Sequence, residues 1–303
     1  MTNIFAIVGP TGIGKTSLSI KLAKKLNSEI IGLDSRQIYK MIPIGTAQPS
    51  AKDLSIIKHH LIGTKDLHDT VSAGEFVQLV DQRIVTILEK NKTPIICGGT
   101  GLYLKSLVEG IFIGSKTDAK IRTYLEKEYD NGNSDNLYKE LVSIDPIYSK
   151  KVHPNNKRRL IRALEIYKIT GKNMTENFKS NNKKSAFHDR INTVYLRMPR
   201  KSLELIIHKR TLSMIEEGMI GEVQYLKDHN YNIDHIDYIG YSEISSYLDK
   251  KISLEDVIEK IHIRTRQYAK RQMKWFDSQS FDHVFDIDNT SVNDIVDKLV
   301  EIS

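Results

Sequence analysis

Gly9-Pro10-Thr11-Gly12-Ile13-Gly14-Lys15-Thr16 constrains the fold of this 303-residue chain more than any other stretch. It spells G-x-x-x-x-G-K-T, a phosphate-binding loop. The apolar run Ile4-Phe5-Ala6-Ile7-Val8 before it reads as a buried strand. Ser17 to Leu26 after it reads as a helix with Leu18, Leu22 and Leu26 on one face. Glycines let backbone N–H groups converge on an anion, and the helix N-terminus adds partial positive charge. The expected ligand is a diphosphate or triphosphate. It is held by Gly9, Pro10, Thr11, Gly12, Ile13, Gly14, Lys15 and Thr16. Lys15 reaches the outer phosphate oxygens, and the Thr16 hydroxyl is the candidate ligand for Mg2+.

The loop says "phosphate" without saying whether that phosphate is transferred. The rest of the chain narrows the choice. Its length suits one large or two modest domains, and no apolar run approaches the roughly 20 residues a membrane helix needs. The first strand begins almost at once, so neither leader peptide nor membrane association is expected, and the expected location is the cytoplasm. The single cysteine, Cys97, excludes an intrachain disulfide and a cysteine-based zinc site. It lies in the apolar run Pro94-Ile95-Ile96-Cys97 and reads as a small core residue. A net charge of +7 permits a nucleic-acid partner without proving one, so position matters more than the total.

A second strand, Glu29 to Leu33, delivers Asp34-Ser35-Arg36-Gln37-Ile38-Tyr39 beside the loop. Ligands of open α/β sheets sit outside the carboxyl ends of the strands. Asp34 is then a magnesium-binding carboxylate, a general base, or the cap of the following turn. His59-His60 lacks further ligands at metal spacing and reads as a solvated or strand-end pair. Ser72 to Glu75 is a capping-box pattern opening a helix to about Asn91. A third strand, Thr93 to Cys97, ends in Gly98-Gly99-Thr100-Gly101, either a plain tight turn or a second functional one. Thr193 to Met198 reads as a strand stopped by Pro199, and a helix from Ser202 to Glu217 carries Arg210.

From about Thr117 the glycine-punctuated strands give way to helical segments at 118–129, 137–143 and 155–170, joined by polar linkers. The expected division is a core of residues 1–115 and 191–303 with a helical insertion at 116–190. The fold class is α/β, a P-loop NTPase-like parallel sheet flanked by helices. Within the insertion, Arg158, Arg159 and Arg162 share a helical face with no acid among them. That face is either solvated surface or a phosphate-backbone contact. Ile261 to Phe276 is also basic, with aromatics interleaved. On a helix, Arg264, Tyr268, Arg271 and Trp275 form a stripe suited to RNA bases and phosphates.

With these blocks in place the chain resembles the bacterial tRNA dimethylallyltransferase family over nearly its whole length. The resemblance rests on the loop and Asp34 blocks, Ile44-Gly45-Thr46-Ala47, His59-His60-Leu61 and Gly98-Gly99-Thr100-Gly101-Leu102-Tyr103. It continues through His153-Pro154-Asn155, Arg159 to Glu165, Ile239-Gly240-Tyr241 and Thr265 to Phe276. Departures are Gly12-Ile13 where the family usually has alanine and serine, Arg158 in place of a common glutamine, and Ile206 where arginine is frequent; Arg210 is retained.

The resemblance implies transfer of a dimethylallyl group from dimethylallyl diphosphate to N6 of the adenosine just 3′ of the anticodon, in tRNAs reading codons that begin with uridine. It implies that Asp34 is the general base, that Thr100 bonds at the reacting centre, and that Lys15, magnesium and Arg210 neutralise the leaving diphosphate. Implied tRNA contacts are Asp34, Ser35, Arg36, Gln37, Thr100, Arg122, Arg158, Arg159, Arg162, Arg266, Lys270 and Arg271, with the insertion gripping the anticodon stem. The expected partners are tRNA and dimethylallyl diphosphate, with no obligate protein partner and a monomeric state. Three rivals remain: a small-molecule kinase, which leaves the basic aromatic helix unexplained, a prenyltransferase acting on free adenine nucleotide, and a nucleotide-gated RNA-binding protein.

Overall fold

The first strand, β1 (Ile4–Val8), shows why the strands of this chain read as unbroken apolar runs. Ile4, Ala6 and Val8 enter one core cluster and Phe5 and Ile7 another. A strand covered on both faces needs an apolar residue at every position, as in a parallel sheet with helices on both sides. The structure, a computed structural model, describes residues 3–112, 117–180, 182–233 and 238–303. After β1 come α1 (Lys15–Lys25), β2 (Ser28–Gly32), α2 (Ala51–Ile56), β3 (His59–His60), α3 (Ala73–Leu88), β4 (Thr93–Gly98) and α4 (Gly101–Val108). Next are β5 (Ile111–Phe112), α5 (Ala119–Glu128), α6 (Ser134–Ile144), α7 (Pro146–Ser149), α8 (Lys157–Thr170), α9 (Met174–Ser180) and β6 (Asn182–Lys183). The chain closes with β7 (Ile191–Arg197), α10 (Arg200–Glu216), α11 (Met219–Asp228), α12 (Tyr241–Leu248), α13 (Leu254–Phe276), β8 (His283–Asp286) and α14 (Val292–Glu301).

Six strands form one sheet in the order β3-β2-β4-β1-β7-β8. Every pairing within it is parallel. The α/β expectation therefore holds. One face is covered by α3, α4, α11 and α12 through Phe76, Tyr103, Val223 and Tyr241, the other by α1, α10 and α14 through Leu18, Ile207 and Leu299. From β1 the chain crosses to one side for β2 and later returns to the other for β7. The crevice outside the carboxyl ends of β1, β2 and β4 is thus the binding position of such a sheet. The last strand and helix were not anticipated. Helix α14 docks on α1 through Lys25 to Asp297 (2.6 Å) and Lys21 to Asn293 (3.1 Å). Among the described residues no helix is long and apolar enough to cross a membrane.

The chain divides into two compact units, Met1–Val108 with Ser185–Ser303, and Glu109–Lys184. The second begins earlier and ends earlier than the 116–190 read from sequence. Antiparallel pairing of β5 with β6 closes its base. Ser185 already belongs to the first unit, since its hydroxyl and the Ala186 N–H both donate to the Asp81 carboxylate. The second unit packs α5, α6 and α8 around Leu125, Leu141 and Leu164. Its polar stretch from Asn131 to Ser134 is a tight kink between α5 and α6, made by Gly132 at φ 89° with Asn133 as the cap of α6.

Of the two expectations for His59-His60 the strand one holds: the pair forms β3. His60 is buried on β3 and its Nε2 lies 2.7 Å from Glu29 Oε2 on β2. Lys92 and Lys90 reach the same carboxylate at 3.1 and 3.3 Å. Burial alone would raise the Glu29 pKa, but bonds from His60, Lys92 and Lys90 together hold it down at about 2. A carboxyl depressed in the folded state stabilises above its unfolded pKa, near 4, and loses that contribution as pH falls towards 2. Glu29→Gln is expected to lower stability at pH 7 by about 2–4 kcal/mol, as breaking a buried ion pair does. Denaturant titrations should show the gap from wild type closing between pH 4 and pH 2.

Candidate active site

The loop between β1 and α1 turns on Gly12 (φ 84°) and Gly14 (φ 90°), conformations that L side chains rarely adopt. Gly14 caps α1 without a side chain, so the helix N-terminus opens directly onto the loop. Lys15 Nζ donates to the carbonyls of Gly9 (3.0 Å) and Pro10 (2.8 Å), which lays the amine across the loop. Burial lowers its pKa to about 8; a Cys97 thiolate would oppose this, Arg210 lowers it further and Asp34 raises it. Burial pushes the Cys97 thiol up, so that opposing charge is absent at neutral pH. Arg210, from α10, donates to Thr11 Oγ1 at 2.8 Å. Burial lowers its pKa and the charges of Asp34 and Glu217 oppose that shift, and a guanidinium stays protonated.

Asp34 follows β2 at the same end of the sheet. Its Oδ1 accepts from the N–H groups of Arg36 (2.8 Å) and Gln37 (3.3 Å), so it caps its own turn. Thr100 accepts the Ser35 N–H at 3.0 Å through its hydroxyl and donates its own N–H to the Leu33 carbonyl at 3.3 Å. The Asp34 turn and the glycine turn after β4 are stitched together in this way. Gln37 differs from the other members of its block. Its amide donates to the carbonyls of Thr46 (3.1 Å) and Ala47 (2.6 Å), bracing the 44–47 loop. Glu222 anchors the same loop by accepting from Ile44 N–H, Gly45 N–H and the Tyr241 hydroxyl. The Arg36 guanidinium lies 4.0 Å over the Tyr238 ring.

Helix α13 borders both turns. Trp275 packs so closely on Gly101 that a Cβ there would fall 2.4 Å from its ring. Burial, and after it the charge of Asp34, holds the Tyr268 hydroxyl above the usual phenol range. Arg271 and Lys270 are exposed, and Arg271 lies 5.9 Å over the Tyr268 ring. Arg266 is partly buried and 3.9 Å from Glu204. The stripe read from sequence splits, because Arg264 turns away to a short ion pair with the buried Glu243.

Lys15, Thr16, Asp34, Ser35, Arg36, Gln37, Thr100, Arg210, Arg266, Lys270 and Arg271 all belong to the first unit, and Arg122, Arg158, Arg159 and Arg162 to the second. Arg158 and Arg159 are exposed on α8. Arg162 instead donates to Glu165, a carboxylate with no exposed surface, at 2.8 Å. Arg122 is bonded to Glu126 at 3.2 Å. The expected three-arginine face is therefore two exposed arginines and one tied to a buried acid. Among the described residues no three His, Cys, Asp or Glu side chains gather in a way that could hold a metal ion.

Sequence reasoning missed Gln272 of α13. It is buried, accepts the Thr11 N–H at 2.9 Å and donates to the Gly99 carbonyl at 2.8 Å. A signal for it existed: it interrupts the apolar stripe Val257, Ile261, Ala269, Phe276, and a polar residue on a buried stripe needs partners.

A helix-capped glycine loop with its lysine, an arginine of α10 bonded to that loop, and a carboxylate at the end of β2, with β4 between it and β1, define an α/β protein of the P-loop class. The IPP transferase family model matches residues 37–279. The tRNA dimethylallyltransferase of Petrotoga mobilis is 38% identical over 302 residues, 99% of each chain. That of Anoxybacillus flavithermus is 39% identical over 290 residues, 95% of this chain and 92% of its own. The full-length tRNA isopentenylpyrophosphate transferase of Bacillus halodurans superposes with a TM-score of 0.71 at 34% identity, covering 99% of this chain and 96% of its own. A eukaryotic dimethylallyltransferase, solved acting on tRNA, superposes with a TM-score of 0.83 at 30% identity, covering 100% of this chain and 80% of its own. The chain belongs to the IPP transferase family.

Proposed function

We propose that this protein transfers the dimethylallyl group of dimethylallyl diphosphate to N6 of the adenosine 3′ of the anticodon, in tRNAs reading codons that begin with uridine. The observation that carries the reading is the Asp34 turn, stitched through Ser35 to Thr100 at the same sheet edge as a loop that bears Lys15 and is bonded by Arg210 of α10. The amine lone pair attacks C1 of the prenyl group, and the C1–O bond breaks with its electron pair leaving on the diphosphate. As the N–C bond forms the amine becomes acidic, and its proton passes to the Asp34 carboxylate. Charge accumulates on the diphosphate, and Lys15, the loop amides and Arg210 neutralise it there. Thr100 orients the acceptor at the reacting centre.

The donor set suits a magnesium ion that arrives with the diphosphate, because the loop offers a Thr16 hydroxyl and no acidic cage. Bound there, the ion supplies further charge neutralisation for the leaving group. The adenine leaves the anticodon-loop stack at an expense of a few kcal/mol. Arg266, Lys270 and Arg271 offset this through phosphate contacts, with Tyr268 and Trp275 offering ring faces. The exposed Arg158 and Arg159 add backbone contacts from the helical insertion. The cytoplasm, where tRNA is modified, is the corresponding location. Incubation with labelled dimethylallyl diphosphate and unmodified tRNA tests the reading, with transfer to the RNA as the expected result.

The double variant Arg158→Ala, Arg159→Ala is expected to weaken tRNA binding and flatten its dependence on salt. Each lost phosphate contact removes roughly 0.7–0.9 from the log–log slope. Filter binding from low to moderate salt measures both, and an unchanged slope would leave these arginines as solvated surface.

A further inference from the structure

Gln272 spends its whole side-chain amide on two backbone groups, each on a different functional turn. Its Oε1 takes the Thr11 N–H of the diphosphate loop, and its Nε2 gives to the Gly99 carbonyl beside Thr100. Thr11 is thereby held at two points, its N–H by Gln272 and its hydroxyl by Arg210. Gly99 is matched to this arrangement. A Cβ there would stand 2.7 Å from Gln272 Nε2, while its next neighbours lie at 3.4 and 3.7 Å. Glycine at 99 thus makes room for the amide and for little else.

We infer that Gln272 is a positioning residue: it fixes the spacing between the diphosphate loop and the Gly99-Thr100 turn, and so the distance between leaving group and acceptor. The inference rests on the function proposed above. A rigid spacer of this kind matters because displacement tolerances in a displacement reaction are a fraction of an ångström. Loss of the bridge leaves a part-buried N–H and a buried carbonyl without their partner, which both turns relieve by moving. Gln272→Met keeps the volume and removes both bonds. Gln272→Glu keeps the acceptor for Thr11 and, when ionised, repels the Gly99 carbonyl. Gly99→Ala pushes the amide aside from the other end while leaving Gln272 in the chain.

The test is a kinetic comparison of wild type with these three variants, run well below each variant's melting temperature. Wild-type transfer from dimethylallyl diphosphate to tRNA is measured first, so that a failure of the proposed function is seen separately. If the bridge sets the spacing, all three lose on the order of 10- to 100-fold in kcat, and tRNA affinity by filter binding stays within about twofold. Inorganic diphosphate, used as a competitive probe, should bind more weakly as well. Lowering the pH should recover Gln272→Glu specifically, because a protonated carboxyl can again donate to Gly99. Variants that melt earlier yet turn over at the wild-type rate would overturn the inference and leave Gln272 as a packing residue. Gly99→Ala with normal kcat would overturn it even if the Gln272 variants fail to fold.

Discussion

Asp34→Asn is expected to cut prenyl transfer by about 10²–10⁴-fold while the protein keeps its fold and its hold on tRNA. The asparagine carbonyl still accepts from the Arg36 and Gln37 N–H groups, so the turn that Asp34 caps survives. What disappears is the negative charge and the basic oxygen. Removal of a positioned general base reduces turnover by about 10²–10⁴-fold. Single-turnover assays at saturating tRNA and dimethylallyl diphosphate measure this directly, with a thermal melt as the control for the turn. Asp34→Ala should behave the same catalytically and also lose about 1 kcal/mol of capping stability. Near-normal turnover in Asp34→Asn would reduce the carboxylate to a cap.

Lys15→Ala has the next largest effect. The lysine lies across the loop on the carbonyls of Gly9 and Pro10, and in the proposed reaction it neutralises charge on the leaving diphosphate. Loss of one preorganised charge-stabilising donor lowers kcat by about 10²–10³-fold. The pH profile gives an independent reading. With burial holding the Lys15 pKa at about 8, the amine is protonated below that pH and neutral above it. The kcat/KM for dimethylallyl diphosphate should therefore fall as pH rises through about 8. Lys15→Arg, which stays charged, should lose that basic limb whatever its absolute rate. A wild-type profile flat to pH 10 would contradict the role.

How much of this could be read before any coordinates depended on the range of the interactions concerned. The loop, Asp34 and Thr100 were legible because each closes a strand, and strand ends of a parallel sheet meet at one edge. The parallel sheet was legible from the two-sided apolar runs. What escaped depends on partners far apart in sequence. Arg162 was grouped with Arg158 and Arg159 by helical spacing, yet three residues on it meets Glu165, whose carboxylate is buried. For His59-His60 the strand alternative holds, while the bond from His60 to Glu29 is not legible because Glu29 is reached only when β3 pairs with β2. The strand at His283 to Asp286 is a partly exposed edge, so it lacks the continuous apolar run that marked the others. Helix α14 carried its own signal, a Ser291 cap and the apolar spacing Ile295, Val296, Leu299, which the sequence reading passed over. Gln37 and Gln272 show the same limit. Each holds backbone groups outside its own motif, and the positions of Thr46, Ala47, Thr11 and Gly99 that make those bonds are not visible in the motif itself.

The central claim is that the loop holds a leaving diphosphate instead of presenting a phosphoryl group for transfer. One assay tests it most directly: dimethylallyl diphosphate labelled in the prenyl group, offered to the purified protein with unmodified tRNA, with AMP, or with no acceptor. ATP labelled at the γ-phosphate is offered in parallel. The account predicts label in the tRNA alone, on the adenosine 3′ of the anticodon, with one diphosphate released per prenyl group transferred and no movement of the γ-phosphate. Label in AMP with none in tRNA, or transfer of the γ-phosphate with dimethylallyl diphosphate left intact, would contradict it.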